Sequence, residues 1–481
     1  MVSRAFLVFF HDRLSSFDTI YGKLSPHSFR VFNFRAEKTE RLDFMFENNE
    51  APFSKKVFMN GLPSFDLNEI LDGEHIVAYF QPIVSVKNNS IVGYEGLARG
   101  LHPETKGLIP PQELFAEAAD KKLTLPLDRL CRKKVLEYFK TVHAFHPQRI
   151  LSLNFEASVL DQGVQGSGNL IQQVEEAGLN PGGIVIEIIE SNVEDLDELQ
   201  KFIKTYREYG FLIALDDVGA GHSNLNRIPL LKPDILKIDR YLVQDISDNF
   251  YKQEVFKSLI GLARKIGALI VAEGIETDKE AGLAMEMGVD MVQGYYFAQP
   301  QRHDRIDDIS VAKHLLQLTK GYKEKVIQKL NVRRFNLRKY ELMTREIQAE
   351  LSKMTGIRFE AKVRELVRFF PLAEGIYILD EEGFQFSETV FGDPQLFQKN
   401  RVIFNPTMKG TDHTLRDYFY MLTEGGLRKS TYITDPYISL ASGSLCVTFS
   451  RLFKDAEQKT YVLCVDINTE YLQQIPGASF F

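Results

Sequence analysis

Two adjacent carboxylates and a lysine carry the strongest chemical signal in the chain. Asp216 and Asp217 follow the short apolar run 212–215, and Lys237 follows a second short apolar run, 235–236. Neighbouring carboxylates at the end of a buried strand repel each other unless a cation lies between or beside them. A divalent metal would supply that cation, because Mg²⁺ and Ca²⁺ take carboxylate oxygens as ligands. The pair could equally cap a helix, and these residues alone leave both interpretations open.

Other short apolar runs in the chain also end in a carboxylate or an amide, at Glu95, Asn154, Glu187 and Glu273. Helix-length segments separate most of these runs. Alternating strands and helices predict a parallel sheet, and the roughly 250 residues from about 72 to 302 have the length of a (β/α)₈ barrel. Because the carboxyl ends of barrel strands meet at one face, we expect these polar side chains to converge on a metal site with oxygen ligands.

Eight segments of this region resemble the sequence signature of the EAL family of cyclic-di-GMP phosphodiesterases, and they occur in the order that the family shows. They are 79–84 (YFQPIV), 95–99 (EGLAR), 153–155 (LNF), 187–190 (EIIE), 216–221 (DDVGAG), 237–239 (KID), 272–277 (AEGIET) and 293–300 (QGYYFAQP). The resemblance covers about half of the chain. It implies a TIM-like α/β barrel that hydrolyses cyclic-di-GMP to linear pGpG with metal-activated water. It also implies Mg²⁺ or Mn²⁺ as the cofactor, with two ions in the site.

The resemblance further implies a role for each matching residue. Four residues match the ligands of a first metal: Glu95, Asn154, Glu187 and Asp216. Asp216 with Asp217 matches the bridge to the second metal. Glu273 matches the general base, and Lys237 matches the ammonium that orients the attacking water. The substrate-binding positions are Gln81, Leu97, Arg99, Asp239, Glu276, Gln293 and Pro300, with Glu190 as a supporting residue. Arg99 would make a charge-assisted contact to a phosphate.

The loop after the paired aspartates departs from the family pattern D-D-F-G-T-G-Y-S-S, because residues 216–224 read DDVGAGHSN. Val218 removes an aromatic anchor, and His222 and Asn224 change the hydrogen bonding of a loop that shapes the second metal site and the dimer contact in the family. Two functions therefore stay open. One is an active hydrolase that a C-terminal domain regulates. The other is a receptor that binds cyclic-di-GMP and transmits its occupancy through the helix 309–354 without cleaving it. A hydrolase for another phosphodiester fits the whole motif set less well.

Composition excludes some kinds of partner and indicates the cellular compartment. The formal net charge of −7 argues against a nucleic-acid polymer or an anionic membrane as the main partner. The three cysteines, Cys131, Cys446 and Cys464, are widely separated and form no metal-ligand pattern. They predict reduced thiols in a cytoplasmic protein. No run approaches the roughly 18 apolar residues of a membrane-spanning helix.

The 481 residues are enough for two or three domains. We divide them into an unassigned segment (1–71), the barrel (72–308), a connecting helix (309–356) and a C-terminal domain (357–481). Within the connecting helix, apolar positions recur at spacings of three and four or their sums. This pattern predicts either a helix that pairs with a second copy of the chain in a homodimer, or a single amphipathic helix lying on a domain.

The C-terminal domain contains short strands separated by turns, which predicts an antiparallel sheet with flanking helices. Its sequence is similar to PAS-like sensory domains of the Cache kind. That resemblance implies either an empty regulatory or dimerisation domain or a pocket for a small-molecule ligand. The pocket would draw on Arg416, Asp417, Tyr418, Tyr432, Asp435 and Tyr437.

Overall fold

The computed structural model describes residues 65–156, 158, 168–189, 196–220, 225, 227–370, 373–392, 405–423 and 430–469. The predicted N-terminal segment, residues 1–71, lies almost wholly outside these ranges. Its described end contains the helix Leu67–Asp72, which begins at the side-chain cap of Asp66 and buries Leu67 and Ile70.

Within the described residues, the N-terminal sheet contains ten strands. They are β1 (Ile76–Ser85), β2 (Ser90–Leu101), β3 (Leu108–Ile109), β4 (Ile150–Phe155), β5 (Ile184–Ile189), β6 (Leu212–Val218), β7 (Ile235–Ile238), β8 (Leu269–Ala272), β9 (Met291–Val292) and β10 (Gln301–Arg302). Because β1 pairs with both β2 and β9, eight strands close into a ring in the order β1-β9-β8-β7-β6-β5-β4-β2. The short strands β3 and β10 pair with β2 and β1. The closed ring confirms the predicted TIM-like barrel.

The first strand of the ring departs from strict strand–helix alternation. β1 runs antiparallel to both of its neighbours, whereas β2 and β4 to β9 pair in parallel. Only residues 86–89 connect β1 to β2, and Asn89 there has a φ of +52°. A turn this short joins antiparallel strands, because a parallel pair needs a crossover of a dozen or more residues. The barrel therefore begins with a hairpin.

Helices cover the outside of the ring, and each buries one apolar stripe against the strands. In the helix Leu196–Glu208 the buried side chains are Leu199, Phe202, Ile203 and Tyr206, which recur at helical spacing. The helix Phe250–Ile266 ends at Gly267, whose φ of +79° is the left-handed conformation typical of a glycine C-cap. The remaining barrel helices are Pro111–Asp120, Thr124–Phe145, Asn169–Glu176, Arg227–Leu231, Arg240–Val243 and Asp278–Met287.

A single helix, Asp308–Leu351, follows the barrel, and we call it the connecting helix. Near its start, Val311, Leu315 and Leu318 pack into the barrel core. Near its end, four of its buried side chains pack into a second core, formed with the C-terminal sheet: Tyr340, Met343, Ile347 and Leu351. The apolar spacing in that second half is therefore explained by packing within the chain. Homodimerisation stays a prediction.

The C-terminal sheet is antiparallel throughout the described residues, as the sequence predicts. Its strands are β11 (Ala373–Leu379), β12 (Val390–Phe391), β13 (Thr431–Ile433), β14 (Tyr437–Ile438), β15 (Leu445–Lys454) and β16 (Thr460–Asn468). One face packs on the connecting helix and the helix Phe359–Leu366. The opposite face packs on the helix Asp417–Thr423. The PAS-like or Cache-like assignment of this domain stays a prediction. None of the helices described is long and apolar enough to cross a membrane.

Candidate active site

The Lys237 ammonium lies at the centre of a group of carboxylates in the barrel. It lies 2.7 Å from Glu273 Oε1, 2.9 Å from Glu187 Oε1, 3.4 Å from Asp216 Oδ1 and 3.6 Å from Glu95 Oε2. The lysine is 2% exposed. Residues that lie up to 178 positions apart in the sequence thus meet at one point. We call these five residues the Lys237 cluster.

Strand direction explains why these side chains meet. Glu95 lies on β2, Glu187 on β5, Asp216 on β6 and Lys237 on β7, while Glu273 immediately follows β8. All five strands run in the same direction round the ring. Polar residues late in parallel strands therefore project into the same end of the barrel.

The charges in the Lys237 cluster do not balance, because one ammonium faces four carboxylates. Burial raises the pKa of Glu187 to about 8, raises that of Glu273 well above its usual range and raises that of Asp216. Burial also opposes the protonated form of Lys237, but the surrounding carboxylates raise its pKa well above the usual value. The cluster therefore has capacity for additional positive charge.

The donor atoms of the cluster fit a divalent cation. All of them are oxygens except the Lys237 nitrogen, and Glu187 Oε2 is buried without a hydrogen-bond partner in the described part of the chain. Carboxylate and amide oxygens are the ligands that Mg²⁺, Ca²⁺ and Mn²⁺ take. In the side-chain positions described, no three Asp, Glu, His or Cys residues already form a ligand set. The Lys237 ammonium lies where the carboxylates converge, so a cation would have to displace it from some of these contacts.

Amide side chains hold Glu95 in place. Asn154 Nδ2 donates to Glu95 Oε1 at 3.0 Å, and Gln293 Nε2 donates to Glu95 Oε2 at 2.7 Å. Gln293 also donates to Gln81 Oε1, and Gln81 in turn donates to the carbonyl of Ala298. Burial opposes ionisation of Glu95, but Lys237 and the amides of Asn154 and Gln293 lower its pKa below the usual value. Three residues predicted from the family resemblance thus form one hydrogen-bonded chain with this carboxylate.

Ser152 belongs to the site and was not predicted. Its Oγ donates to Glu187 Oε1 at 2.5 Å, and the residue is 2% exposed. Ser152 precedes Asn154 by two residues on β4, so the two side chains project to the same face. That period of two was the available sequence signal. The hydroxyl orients the one carboxylate of the cluster that is most deeply buried.

Asp217 lies beside Asp216 near the end of β6, where the pairing with β7 is irregular between Leu215 and Val218. Asp217 has a φ of +56°, a left-handed conformation that is uncommon for a residue other than glycine, and its amide donates to Asp216 Oδ1 at 2.9 Å. Burial and the charges of Asp216 and Asp239 raise the pKa of Asp217 to about 6. Val218, which departs from the family pattern, is fully buried. His222 and Asn224 lie outside the described residues.

A cavity of about 340 Å³ lies beside the Lys237 cluster. Its lining includes four residues from the predicted site: Glu95, Leu97, Arg99 and Asn154. Burial lowers the pKa of the Arg99 guanidinium, and its Nη1 donates to the carbonyl of Ala98 at 2.8 Å. The cavity also has a buried ion pair, Asp128 with Arg132, that the sequence analysis did not identify. Their i, i+4 spacing on a helix was the only sequence signal.

Some predicted site residues do not contact the Lys237 cluster. Glu276 is exposed and forms an ion pair with Arg240 at 3.0 Å. Asp239 caps the helix Arg240–Val243 by accepting from the amide of Tyr241. Pro300 immediately precedes β10, at the edge where that strand pairs with β1. Glu190 lies outside the described residues.

The family model of the EAL domain matches residues 66–300. This range contains the whole closed ring and the Lys237 cluster.

Residues 66–300 are an EAL domain.

The relatives of this EAL protein are similar to it over different fractions of the chain. YkuI, an EAL-domain protein of Bacillus subtilis strain 168, is 28% identical over 426 residues, which cover 84% of this chain and 97% of YkuI. That match is much longer than residues 66–300, so it includes chain outside the EAL domain. PdeB of Escherichia coli K12, named a probable cyclic di-GMP phosphodiesterase, is 34% identical over 239 residues, 49% of this chain and 45% of PdeB. The similarity to PdeB therefore spans less than half of either protein.

The crystal structure of YkuI is similar to this EAL protein over most of its length. The two have a TM-score of 0.68 at 27% identity, and the superposition covers 84% of this chain and 99% of the YkuI chain. YkuI was solved in complex with cyclic-di-GMP, described as its substrate, and calcium.

Proposed function

We propose that this protein is a cyclic-di-GMP phosphodiesterase that hydrolyses its substrate to linear pGpG. The observation that carries the proposal is the Lys237 cluster, where four carboxylates surround one ammonium beside a cavity lined by Arg99. An anionic diester resists attack by water, so a hydrolytic site needs cations and a base at one place. Two similarities support this substrate. YkuI was solved in complex with cyclic-di-GMP, and PdeB is a probable cyclic di-GMP phosphodiesterase.

The oxygen ligands of this site suit Mg²⁺ or Mn²⁺ better than zinc. Glu95, Asn154, Glu187 and Asp216 would hold one ion, and Asp216 with Asp217 would bridge to a second. When bound, divalent cations supply Lewis acidity that lowers the pKa of water and neutralises the phosphoryl oxygens. The calcium in the YkuI complex supports a divalent ion at this kind of site.

Three other side chains of the site would each have a separate role in the hydrolysis. Glu273 would accept the proton of the attacking water, and its raised pKa makes its ionised form a stronger base. The Lys237 ammonium, 2.7 Å from Glu273, would orient that water and offset negative charge that develops on the phosphate. Arg99 would donate to a phosphate oxygen from the cavity.

The experiment that tests this proposal is incubation of the full chain with cyclic-di-GMP and either Mg²⁺ or Mn²⁺, with the products separated by chromatography. Formation of pGpG supports the hydrolase. Saturable binding without pGpG in both metals supports the receptor function, which the departures at Val218, His222 and Asn224 favour.

Replacing Ser152 by alanine should weaken metal binding without unfolding the barrel. The change removes the hydroxyl that orients Glu187, and such outer partners of metal ligands are typically worth about 10- to 100-fold in affinity. We expect the Kd for Mn²⁺, measured by isothermal titration calorimetry, to rise by about that factor. Ser258→Ala, on the exposed side of the helix Phe250–Ile266, is the matched control and should leave the Kd unchanged. An unchanged Kd in Ser152→Ala would show that Glu187 needs no support from this hydroxyl.

We also propose that the C-terminal domain regulates the site through the connecting helix. Asp308, the first residue of that helix, accepts a hydrogen bond from Tyr94 and forms an ion pair with Arg149 at 2.5 Å. Tyr94 lies on β2, directly before Glu95. The far end of the same helix is built into the core of the C-terminal sheet. A shift of the helix would therefore move the strand that carries Glu95.

Replacing Asp308 by asparagine should change turnover although the residue lies outside the Lys237 cluster. Coupling through such a contact is worth about 0.5–2 kcal/mol, so we expect kcat to fall by roughly 2- to 30-fold. The KM for cyclic-di-GMP should change little, since no substrate contact is removed. Glu324→Gln, exposed on the middle of the connecting helix, is the control. Equal kcat values for the two variants would exclude this route.

A cytoplasmic location is also part of the proposal. Cys131, Cys446 and Cys464 are each buried and free, which suits a reducing compartment.

A further inference from the structure

The C-terminal sheet has a second acidic site, on the face that points away from the connecting helix. Along β16, Val465 and Ile467 pack into the core beneath that helix, whereas Cys464 packs into the core of the opposite face. By this alternation Asp466 belongs to the opposite face. Glu374 lies on the neighbouring strand β11, where Gly375 is paired with Asp466. We call Glu374 and Asp466 the acidic pair.

The acidic pair is buried, and no cationic side chain among the described residues pairs with it. Glu374 is 2% and Asp466 is 8% exposed. Asp466 Oδ1 accepts from Thr448 Oγ1 at 2.7 Å and from the Tyr437 hydroxyl at 3.4 Å, and Glu374 Oε1 accepts from Ser442 Oγ at 2.6 Å. Glu374 Oε2 is buried and has no hydrogen-bond partner in the part of the domain that the structure describes. Among the residues that the structure describes, neither carboxylate forms an ion pair. Two desolvated carboxylates with only neutral donors are costly unless a cation or a proton joins them.

Tyrosine rings surround this face of the sheet. Tyr377 and Tyr418 belong to its hydrophobic core, with ring centroids 6.3 Å apart, and the Tyr437 hydroxyl contacts both Thr448 and Asp466. The faces of aromatic rings attract alkylammonium groups, and carboxylate oxygens accept their N–H donors. The site therefore combines the two chemical features that recognise an organic cation.

We propose that the acidic pair binds a small protonated amine in the C-terminal domain. The ammonium group donates to the free oxygen of Glu374 and to Asp466, and its alkyl part lies against the tyrosine rings. Burial raises the pKa of Asp466 to about 7, and the charge of Glu374 adds to that shift. Binding is therefore favoured at a pH above 7, where Asp466 can be ionised. The proposal is independent of the activity of the EAL domain.

The test is thermal unfolding of the full chain at pH 8 with increasing ethylammonium chloride, against sodium chloride at the same ionic strength. We expect the Tm to rise with the logarithm of the ethylammonium concentration in the parent protein. The rise should be absent in Asp466→Asn and in Glu374→Gln. Glu382→Gln, an exposed acid of the same domain, should keep it. The two acidic-pair variants serve each other as a check in case one of them folds poorly.

Three results would overturn the proposal. The first is no rise in the parent, and the second is an equal rise in both acidic-pair variants, which would place the amine elsewhere. The third is an equal rise with sodium or calcium chloride, which would assign the site to an inorganic ion.

A second measurement, without amine, uses the sign of the pKa shift. Because the pKa of Asp466 is higher in the folded than in the unfolded chain, its ionisation destabilises the folded state as the pH rises through about 7. The Tm of Asp466→Asn relative to the parent should therefore increase between pH 5 and pH 8. If this difference in Tm does not change with pH, Asp466 carries no uncompensated charge and the proposal fails.

Discussion

Replacing Glu273 by glutamine should lower kcat for cyclic-di-GMP by about 10²–10⁴-fold, the range that a general base contributes. Glutamine keeps the size of the side chain but cannot accept the proton of the attacking water. Glu273 immediately follows β8 and is one of the four carboxylates around Lys237, so its loss affects the reaction more than the binding of the dinucleotide. Single-turnover kinetics should show the fall in rate, and the equilibrium Kd for cyclic-di-GMP should stay within a few-fold of the parent value.

The matched control for this variant is Glu254→Gln, which removes an exposed carboxylate that pairs only with Lys257 among the described residues. It should turn over substrate at the parental rate. If Glu273→Gln retained more than about a tenth of the parental rate, another group would have to take the proton. If it lost affinity and rate together, Glu273 would be a binding residue.

We expect the second large effect from Lys237→Met, on stability as well as on activity. Lys237 is the one cation that contacts all four carboxylates of the cluster in the described structure. Removing one partner from a buried ionic group typically costs about 3–5 kcal/mol, because the remaining charge is left uncompensated. We expect the free energy of unfolding in urea to fall by about that amount when EDTA is present. Saturating Mn²⁺ should restore part of it, since a metal supplies the missing positive charge.

The control for the stability measurement is Lys257→Met, at an exposed surface pair, where the change should be within about 1 kcal/mol. A Lys237→Met protein as stable as the parent in EDTA would mean that the carboxylates are mostly protonated in the folded state. If this variant lost the same free energy of unfolding with Mn²⁺ as without it, the cluster would not bind the metal.

The sequence predicted the barrel because strand-length apolar runs alternate with amphipathic helices over the length of a (β/α)₈ fold. It did not predict the direction of β1, since an apolar run reports that a strand is present but not how it pairs. The direction follows from the four residues 86–89 of the connection, which are too few for a crossover. The connecting helix shows a similar limit. Its apolar spacing predicts a buried stripe but not what buries it. The partner could be the C-terminal sheet of the same chain, as the structure shows, or a second copy of the chain.

The site, like the fold, contains residues that the sequence predicts and residues that it does not. Glu95, Glu187, Asp216, Lys237 and Glu273 were predictable because each ends an apolar run, and parallel strands bring such ends together. Ser152 was not, because a serine inside an apolar strand resembles an ordinary buried hydroxyl until its partner Glu187 is known. Glu276, predicted beside the substrate, is exposed and paired with Arg240 in the structure. The acidic pair was not predictable because β11 and β16 are buried on both faces, so their sequences lack a polar side.

The carboxylates around Lys237 are proposed to form a metal-dependent hydrolytic site. Chromatography of the products from the purified full chain tests it most directly, with cyclic-di-GMP supplied in Mn²⁺ and, in parallel, in excess EDTA. We expect pGpG in Mn²⁺, none in EDTA, and recovery when the metal is restored. Tight binding of the dinucleotide with no pGpG in Mn²⁺ or Mg²⁺ would contradict the claim, and so would an equal rate of cleavage in EDTA.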